Sequence, residues 1–509
     1  MLTYYLMTKN EDYEALAAAS KRVSIYQSIL SLLHWDQETY MPPGGIAPRS
    51  EQVAQMSELI HNEKTSKRFR TLLEKLIHIR TGRIKGKHLT VLQKAAVREW
   101  QRDFLRQDKL PTSFVKEFSQ VTAEAGPVWA IARRDNNFQL FAPFLEKIVR
   151  MNREKANFFG FEEHPYDALL ESYEPCMNSN RVGKIFESLK KELVSLIQKI
   201  GAVKEAPFFS KEVAKETQME LGHWLSSKLP MEPAFTRLDL SSHPFSTGLH
   251  PKDSRITTRI HPNHFMSNLF SVLHEAGHSM YEMGLPTEHW GTPLAEASSL
   301  TVHESQSRWW ETLIGRSLPF WKYCYPELQK KMPKVLGKIS LDQFYLGIHR
   351  VAPSFIRVEA DEVTYCLHII LRFEIERDLI EGKLQVADLP EAWNHRFHQM
   401  FGITPPSNTL GCLQDIHWSL GDFGYFPTYA LGNLLAAQLF GQFVKDHPDW
   451  KTAVSQGKFK FIRDWLKEHV YKWGKVYNSD EFAKRVTGAP LSEKAYCRYL
   501  KDKYDVLYS

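Results

Sequence analysis

Cysteine is scarce in this chain, with five residues in 509, an odd number and no CxxC pair. This pattern argues against a disulfide framework and for reduced thiols inside a cell. No apolar run approaches the roughly 20 residues that a membrane helix requires. The first seven residues form a short apolar start without a basic region, so we expect no signal peptide. The sequence therefore predicts a soluble cytoplasmic protein without a membrane partner.

Linkers, low-complexity tracts and internal repeats are also missing. Glycine and proline, 26 residues of each, are spread along the chain and mark no boundary. We therefore interpret residues 1–509 as a single domain. The net charge of +6 falls within residues 451–509. Because no nucleic-acid-binding signature accompanies this basic segment, we expect no nucleic-acid partner.

Helical periodicity dominates the remaining pattern. Two short alternating segments, 235–240 and 255–260, are typical of strands. The sequence predicts a mainly α protein with a small β-sheet. The clearest helical segments are residues 11–33, 47–61, 93–104, 181–200 and 428–444.

The sequence HEAGH, residues 274–278, lies in a further helical pattern at 268–283. Residues four apart share a helix face, so His274 and His278 can offer both imidazoles to one metal ion. Zinc held by two histidines and a carboxylate keeps an open position for water. Glu275 is beside them and can take the proton of that water. This motif is typical of a metallopeptidase.

A third protein ligand is required, and the segment after the motif offers two candidates. Residues 293–314 are compatible with one helix that carries both Glu296 and Glu304. No HExxHxxGxxH continuation follows His278, so the third ligand is expected to be a carboxylate. Spacing alone does not choose between the two glutamates.

Five segments are dense in functional side chains, and they resemble the motifs of the carboxypeptidase Taq family of metallocarboxypeptidases. In that family the motifs read DxRxT, HExxH, HES(Q), IRxxAD and GxxQDxHW. In this chain they are DSRIT at 253–257, HEAGH at 274–278, HESQ at 303–306, IRVEAD at 356–361 and GCLQDIHW at 411–418. HPF at 243–245 and HWDQETYMPPG at 34–44 are similar to family elements too.

The resemblance runs over essentially the whole chain and implies several further properties. It implies a helical, zincin-like fold of saddle or butterfly shape, with a deep central groove and the small sheet near the active site. It also implies a homodimer that removes C-terminal amino acids from peptides with broad specificity. Carried over by position, it makes Glu304 the third metal ligand beside His274 and His278, and Glu275 the general base. Zinc is the expected ion, with cobalt and manganese as alternatives because all three accept such ligands.

A carboxypeptidase must hold a terminal carboxylate, and arginine does so with two parallel hydrogen bonds. Arg357 and Arg255 are the candidates. We predict a helix over 354–379 that places Arg357, Asp361, Tyr365 and His368 on one stripe. The alternatives are structural: an ion pair of Arg357 with Asp361, and a cross-strand ion pair of Arg255.

The tetrahedral oxyanion needs hydrogen-bond donors, and His417 and Tyr429 are suited to that role. Packing in the core is the alternative for both. Asp361 or Asp415 is expected to orient a metal-ligating imidazole through its second N–H.

Two other functions are compatible with the motifs. One is an endo-acting oligopeptidase of the zincin type, which would cleave internal bonds. The other is a catalytically silent peptide-binding scaffold that has kept the fold.

Overall fold

The structure is a computed structural model, and it describes residues 10–201, 203 and 206–508. The predicted absence of a signal peptide concerns residues outside this described part. Within it, no helix combines the length and apolar character needed to span a membrane.

Helices make up most of the described residues, and the only sheet they form has three strands. The first ten helices and the strands are α1 (Glu11–Thr39), α2 (Ile46–Lys64), α3 (Lys67–Leu76), α4 (Val91–Asp108), α5 (Thr112–Arg134), α6 (Phe138–Phe159), α7 (Pro165–Leu170), α8 (Ser179–Ile200), α9 (Lys215–Lys228), β1 (Thr236–Leu240), β2 (Ser246–His250), β3 (Asp253–Thr258) and α10 (Phe265–Gly284). The remaining helices are α11 (Leu300–Arg308), α12 (Leu318–Lys331), α13 (Pro333–Leu336), α14 (Leu341–Ile348), α15 (Tyr365–Glu381), α16 (Leu389–Phe401), α17 (Pro427–Asp446), α18 (Trp450–Ser455), α19 (Lys460–His469), α20 (Ser479–Thr487) and α21 (Lys494–Leu507).

The chain divides into two compact units. The first contains Met1–Lys109, Glu212–Ser298 and Lys458–Tyr477, and therefore α1 to α4, the sheet, α9, α10 and α19. Its strand order is β1-β3-β2, with β3 parallel to β1 and antiparallel to β2. One apolar core of this unit lies among α1, α3 and α4 and includes Leu16, Leu73 and Trp100.

Helix α10 is fixed against β3 and α9 by buried polar contacts at both of its ends. The hydroxyl of Thr258 donates to Oδ1 of Asn268 at 2.7 Å, and Nδ2 of Asn268 donates to the carbonyl of Gln218 at 2.7 Å. Near the other end, the hydroxyl of Ser254 donates to that of Ser279 at 2.8 Å. Because buried hydrogen bonds are costly to leave unmade, they hold the helix in one register on the sheet.

The second unit contains Leu110–Lys211, Ser299–Gly457 and Asn478–Ser509, and it is helical. Helix α17 packs closely on α11 because Gly432 has no side chain. A Cβ at that position would lie 2.6 Å from Cγ of Glu304. Helix α15 is buried on nearly every face, in agreement with its apolar run CLHIILRF.

The predicted fold class, mainly α with a small sheet, is confirmed. Each of the five clearest helical segments lies within an observed helix, and both predicted strands overlap observed ones. The interpretation of residues 1–509 as one domain stays a prediction, as does the saddle shape with its central groove. Strand β2 was not predicted, because its sequence STGLH has no apolar alternation.

Two predicted helices are wrong in their extent. Residues 354–379 do not form one helix, since α15 begins at Tyr365 and Asp361 accepts backbone N–H groups of Val363 and Thr364 ahead of it. An aspartate side chain that accepts from the N–H groups two and three residues later stabilises a turn, so Asp361 lies in a turn ahead of the helix and not inside it. The predicted stripe through Arg357 and Asp361 is therefore not a helix face.

Residues 293–314 are likewise interrupted. Glu296 is extended, and Ser299 caps α11 by accepting the N–H of Val302. A π-helix, Trp309–Ile314, follows α11. Glu296 and Glu304 therefore belong to different local structures.

Candidate active site

Three of the predicted ligands come together in the structure. The nitrogen ligand atoms of His274 and His278 and a carboxylate oxygen of Glu304 all lie within 4.8 Å of one another. Both imidazoles are half-buried, and Glu304 is buried. Two imidazole nitrogens and one carboxylate oxygen are a donor set that divalent zinc, cobalt or manganese accepts. A catalytic metal site requires three protein ligands of this kind and one open position for water.

Glu304 is held in position by its own helix. Nε of Arg308, one turn later, donates to Oε1 at 2.6 Å, and the hydroxyl of Ser307 donates to Oε2 at 2.9 Å. The close approach of Gly432 restricts the stem of the side chain from the opposite side. The carboxylate is thus oriented before any ion binds.

The other candidate, Glu296, has a different partner. Nζ of Lys475 donates to its Oε2 at 2.6 Å, and this half-buried ion pair holds the pKa of Glu296 below its usual value, although desolvation acts to raise it. Glu296 is not part of the three-residue group. Its position in an extended segment ahead of α11 explains why helical spacing did not distinguish the two glutamates.

Arg357 and Arg372 share a single carboxylate, that of Asp415. Nε and Nη2 of Arg357 donate to Oδ1 at 3.1 and 2.9 Å, and Nε of Arg372 donates to Oδ2 at 2.7 Å. Burial by itself raises the pKa of Asp415, but the two guanidiniums outweigh it and hold that pKa well below its usual range. The alternative considered from sequence, an ion pair of Arg357 with Asp361, is not formed, because the helix that would place these residues one turn apart begins only at Tyr365.

A short chain of contacts leads from Glu304 to Arg357 within the second unit. The guanidinium of Arg308, which holds Glu304, lies 4.3 Å from the ring centroid of Tyr365. The hydroxyl of Tyr365 lies 3.4 Å from Nη1 of Arg357. One of the proposed carboxylate-binding residues therefore lies in the neighbourhood of a proposed metal ligand.

His417 and Tyr429 lie side by side next to Arg357. Nε2 of His417 is 3.4 Å from the hydroxyl of Tyr429, and the guanidinium of Arg357 is 5.1 Å from the Tyr429 ring. Burial lowers the pKa of His417 to about 4, although Asp415 opposes the shift. Burial also raises the pKa of Tyr429 well above its usual value. At neutral pH both side chains are uncharged and able to donate a hydrogen bond.

The loop that carries His417 is anchored through the buried carboxylate of Glu376 on α15. Oε2 accepts from the hydroxyl of Tyr166 at 2.7 Å and from the N–H of Gly424 at 3.1 Å, and Oε1 accepts from Nε1 of Trp418 at 2.9 Å. Gly424 has φ +93°, and a Cβ there would lie 2.7 Å from the backbone of Leu170. Glycine is required at that position for both reasons.

The guanidinium of Arg255 is paired with Asp253, which lies two residues earlier in the DSRIT motif. Nε and Nη2 each donate to one oxygen of Asp253, both at 3.0 Å, so the ion pair considered as an alternative for Arg255 lies within β3 and not across strands. The guanidinium also stacks on Trp35, 4.4 Å from its ring centroid. The HWDQETYMPPG segment is held to the sheet by this contact and by the hydrogen bond from Tyr40 to Asp239.

The DSRIT and HPF motifs also support each other. The hydroxyl of Thr257 accepts the N–H of Phe245 at 2.9 Å, and the carbonyl of Phe245 accepts the N–H of Thr257 at 2.8 Å. With Ser254 bound to Ser279, these contacts connect both motifs to α10.

The carboxylates predicted to orient an imidazole are engaged elsewhere. Asp361 accepts from the backbone of Ala352, Val363 and Thr364 and from the hydroxyl of Thr364. Asp415 binds the two arginines and lies 4.0 Å from Nδ1 of His417, which is not one of the predicted ligands. Orientation of His274 or His278 by either carboxylate stays a prediction.

Two residues of the site were missed from sequence. Arg308 follows Glu304 by four positions, a spacing that places both on one helix face. Arg372 is a single charge in an apolar run, and a buried charge of that kind requires a partner. Both the spacing of Arg308 from Glu304 and the isolated charge of Arg372 could have been recognised in the sequence.

Comparisons with known proteins identify the family of this chain. The sequence profile described as Carboxypeptidase Taq (M32) metallopeptidase matches residues 15–504. Carboxypeptidase 1 of Bacillus subtilis is 37% identical over 491 residues, covering 96% of this chain and 97% of the relative. Thermostable carboxypeptidase 1 of Thermus thermophilus is 37% identical over 518 residues, covering 99% of this chain and 100% of the relative.

Solved structures give the same result. A Pyrococcus furiosus carboxypeptidase structure aligns with a TM-score of 0.93 at 36% identity, covering 98% of this chain and 100% of that chain. The M32 carboxypeptidase of Deinococcus radiodurans aligns with a TM-score of 0.93 at 34% identity, covering 98% of this chain and 99% of that one. The chain belongs to the carboxypeptidase Taq (M32) family, and it is a metallocarboxypeptidase that requires a divalent metal ion.

Proposed function

We propose that this enzyme removes C-terminal amino acids one at a time from peptides, with broad specificity. His274, His278 and Glu304 are the proposed ligands of one ion, which we propose to be zinc, with cobalt and manganese as alternatives. The observation that carries this proposal is the convergence of these three donors within 4.8 Å. Their number leaves a coordination position for water, as in catalytic zinc sites.

When bound, the ion supplies a Lewis acid and lowers the pKa of a water to about 7. Glu275 follows His274 directly on α10 and is the proposed general base. It takes the proton of the attacking water and returns it to the leaving amine. Burial of Glu275 keeps this exchange away from bulk solvent.

Arg357 is the proposed binding residue for the terminal carboxylate of the substrate. Asp415 is shared between Arg357 and Arg372, whereas Asp253 forms a one-to-one pair with Arg255. The charge of Arg357 is therefore less compensated than that of Arg255. A role for Arg255 beside it stays a prediction.

His417 and Tyr429 are the proposed donors to the oxyanion. Both are neutral near pH 7, so each offers a hydrogen without adding charge to the site. Preorganised donors of this kind stabilise the developing negative charge because no solvent has to reorganise.

Mass spectrometry of two matched peptides tests the proposal. The peptides share one sequence and end in a free carboxylate or in an amide. With zinc-loaded enzyme we expect a ladder of single-residue losses from the free C-terminus and little loss from the amide. Cleavage of an internal bond in both peptides would instead identify an endo-acting oligopeptidase. No cleavage of either would indicate a silent peptide-binding scaffold.

Family resemblance also supports a homodimer and a cytoplasmic location, and both are part of the proposal. Light scattering of the purified chain tests the first, since a dimer has twice the chain mass of 59.1 kDa.

A further inference from the structure

Arg372 on α15 is completely buried, and its polar contacts point away from solvent. Nε donates to Oδ2 of Asp415 at 2.7 Å, and Nη1 donates to the carbonyl of His368 at 2.6 Å. Its guanidinium lies 4.8 Å from the Trp393 ring and 5.4 Å from the Phe426 ring. A side chain enclosed in this way does not reach a substrate. Any effect of Arg372 on the reaction must therefore act through a neighbour, and Asp415 is the hydrogen-bonded neighbour that also binds Arg357.

The charges of Arg357, Arg372 and Asp415 do not cancel. Arg357 and Arg372 carry two positive charges, and Asp415 supplies one negative charge, with one oxygen assigned to each arginine. A buried charge without a counter-charge is costly, while a one-to-one pair is much less so. The surplus positive charge is therefore a feature that a purely structural ion pair would not require.

Among the described residues, the groups that border Arg357 besides Asp415 do not supply the missing negative charge. Tyr365 and Tyr429, which border Arg357, have pKa values raised by burial and remain neutral. The carboxylate of Glu304 is bound by Arg308. The surplus charge is therefore available to an anion that reaches Arg357.

We propose that Arg372 is a positioning residue that keeps Arg357 available for the terminal carboxylate of the substrate. By occupying Oδ2 of Asp415, it prevents that carboxylate from turning both oxygens toward Arg357 in a neutral fork-to-fork pair. The inference rests on the proposed function, in which Arg357 binds the carboxylate. It adds a residue outside the five motifs that determines the preference for a free C-terminus.

Two competitive inhibitors that differ only at one end test this role. N-acetylphenylalanine carries the carboxylate, and its amide does not. In Arg372→Met we expect the inhibition constant of the carboxylate to rise about tenfold or more, because Asp415 can then pair with Arg357 through both oxygens and compete with the inhibitor. The inhibition constant of the amide should stay within about twofold, and KM should change more than kcat. Arg372→Lys, which keeps the charge, should recover part of the loss.

Controls separate this effect from simple destabilisation. Arg396→Met on α16 removes a different arginine–aspartate pair, formed with Asp378 at 2.5 Å, and should leave both inhibition constants unchanged. If Arg372→Met does not fold, Arg372→Gln replaces it, since glutamine is neutral but keeps an amide donor for Asp415. Circular dichroism and thermal unfolding identify the folded variants.

The outcomes distinguish this inference from the proposed function. Equal weakening of both inhibitors, or a change in kcat alone, would mean that Arg372 has only a structural role. If Arg357→Met weakens the carboxylate inhibitor while the neutral Arg372 variants do not, the inference about Arg372 fails and the proposed function stands. If the wild-type enzyme releases no C-terminal residue, both fail.

Discussion

Glu275 is the residue on which the proposed chemistry depends most directly. It is buried on α10 and follows the proposed ligand His274 directly in the sequence, and in the proposed mechanism its carboxylate exchanges a proton with the attacking water. Glutamine has the same shape but accepts no proton.

We expect Glu275→Gln to lower kcat by about 10²–10⁴-fold, the usual contribution of general acid–base catalysis. The variant should bind metal as the wild-type protein does, because residue 275 is not a proposed ligand. Steady-state kinetics and metal content by plasma mass spectrometry check both points. Full activity in a metal-loaded variant would remove Glu275 from the mechanism.

His417 allows a prediction with a defined pH dependence. Its pKa of about 4 lies below the ordinary value of 6.5, so the imidazole is neutral above about pH 5. The folded state binds fewer protons here than the unfolded state between these two values. The neutral, buried His417 therefore favours the folded state fully above pH 6.5, and this contribution to the free energy of unfolding is lost as the pH falls toward 4.

His417→Phe should lower kcat by about 10²–10³-fold, the cost of removing an oxyanion donor. His417→Asn, which keeps a neutral N–H, should lose less. The ratio of wild-type to His417→Phe kcat should stay constant from pH 6 to 8, since the donor does not titrate there. A ratio that changes across this range would mean that a charged His417 takes part.

At the scale of elements, the packing of α17 on α11 determines where Glu304 lies. Gly432 is the point of closest approach, with its missing Cβ only 2.6 Å from Cγ of Glu304. Gly441 is on the same helix, and nothing lies within 4 Å of its own missing Cβ.

We expect Gly432→Ala to reduce the free energy of unfolding by about 1–3 kcal/mol, as overpacked sites do, and to weaken metal binding by displacing Glu304. Gly441→Ala is the matched control and should stabilise the protein by up to about 1 kcal/mol, because alanine is the better helix former. Chemical denaturation and competition with a metal-binding dye measure the two effects. Unchanged metal affinity in Gly432→Ala would contradict this account of Glu304.

The elements also indicate how far sequence reasoning reached. Helix α10 was predicted within a few residues, because apolar spacing and the glycine at its end are local signals. The helix expected over 354–379 was wrong at its start, because the side chain of Asp361 holds residues 361–364 in a turn ahead of α15. The pairing of Arg357 with Asp415 connects positions 58 residues apart, and no periodicity predicts such a contact.

At the scale of the whole molecule, the family resemblance predicted features that local sequence patterns could not. Spacing left Glu296 and Glu304 equivalent, and the motif HESQ selected Glu304, in agreement with the three-residue group in the structure. The contact that holds the HWDQETYMPPG segment to the sheet was not predicted, because Arg255, which stacks on Trp35, follows more than 200 residues later in the chain.

Removal of the metal should affect the whole protein. The proposed ion binds the folded chain and not the unfolded chain, so chelation should lower the unfolding temperature as well as abolish activity. Differential scanning calorimetry across a range of free zinc concentrations measures this linkage. We expect the unfolding temperature to rise with zinc, and an unfolding temperature independent of zinc would contradict a site that is formed only by folding.

The central claim, that His274, His278 and Glu304 bind one ion, is tested most directly by anomalous X-ray diffraction from crystals of the zinc-loaded protein. We predict a single strong anomalous peak at about 2.0–2.2 Å from a nitrogen of each histidine and from an oxygen of Glu304, with a water completing the coordination. A peak at another place, or one with Glu304 turned away from it, would contradict the account.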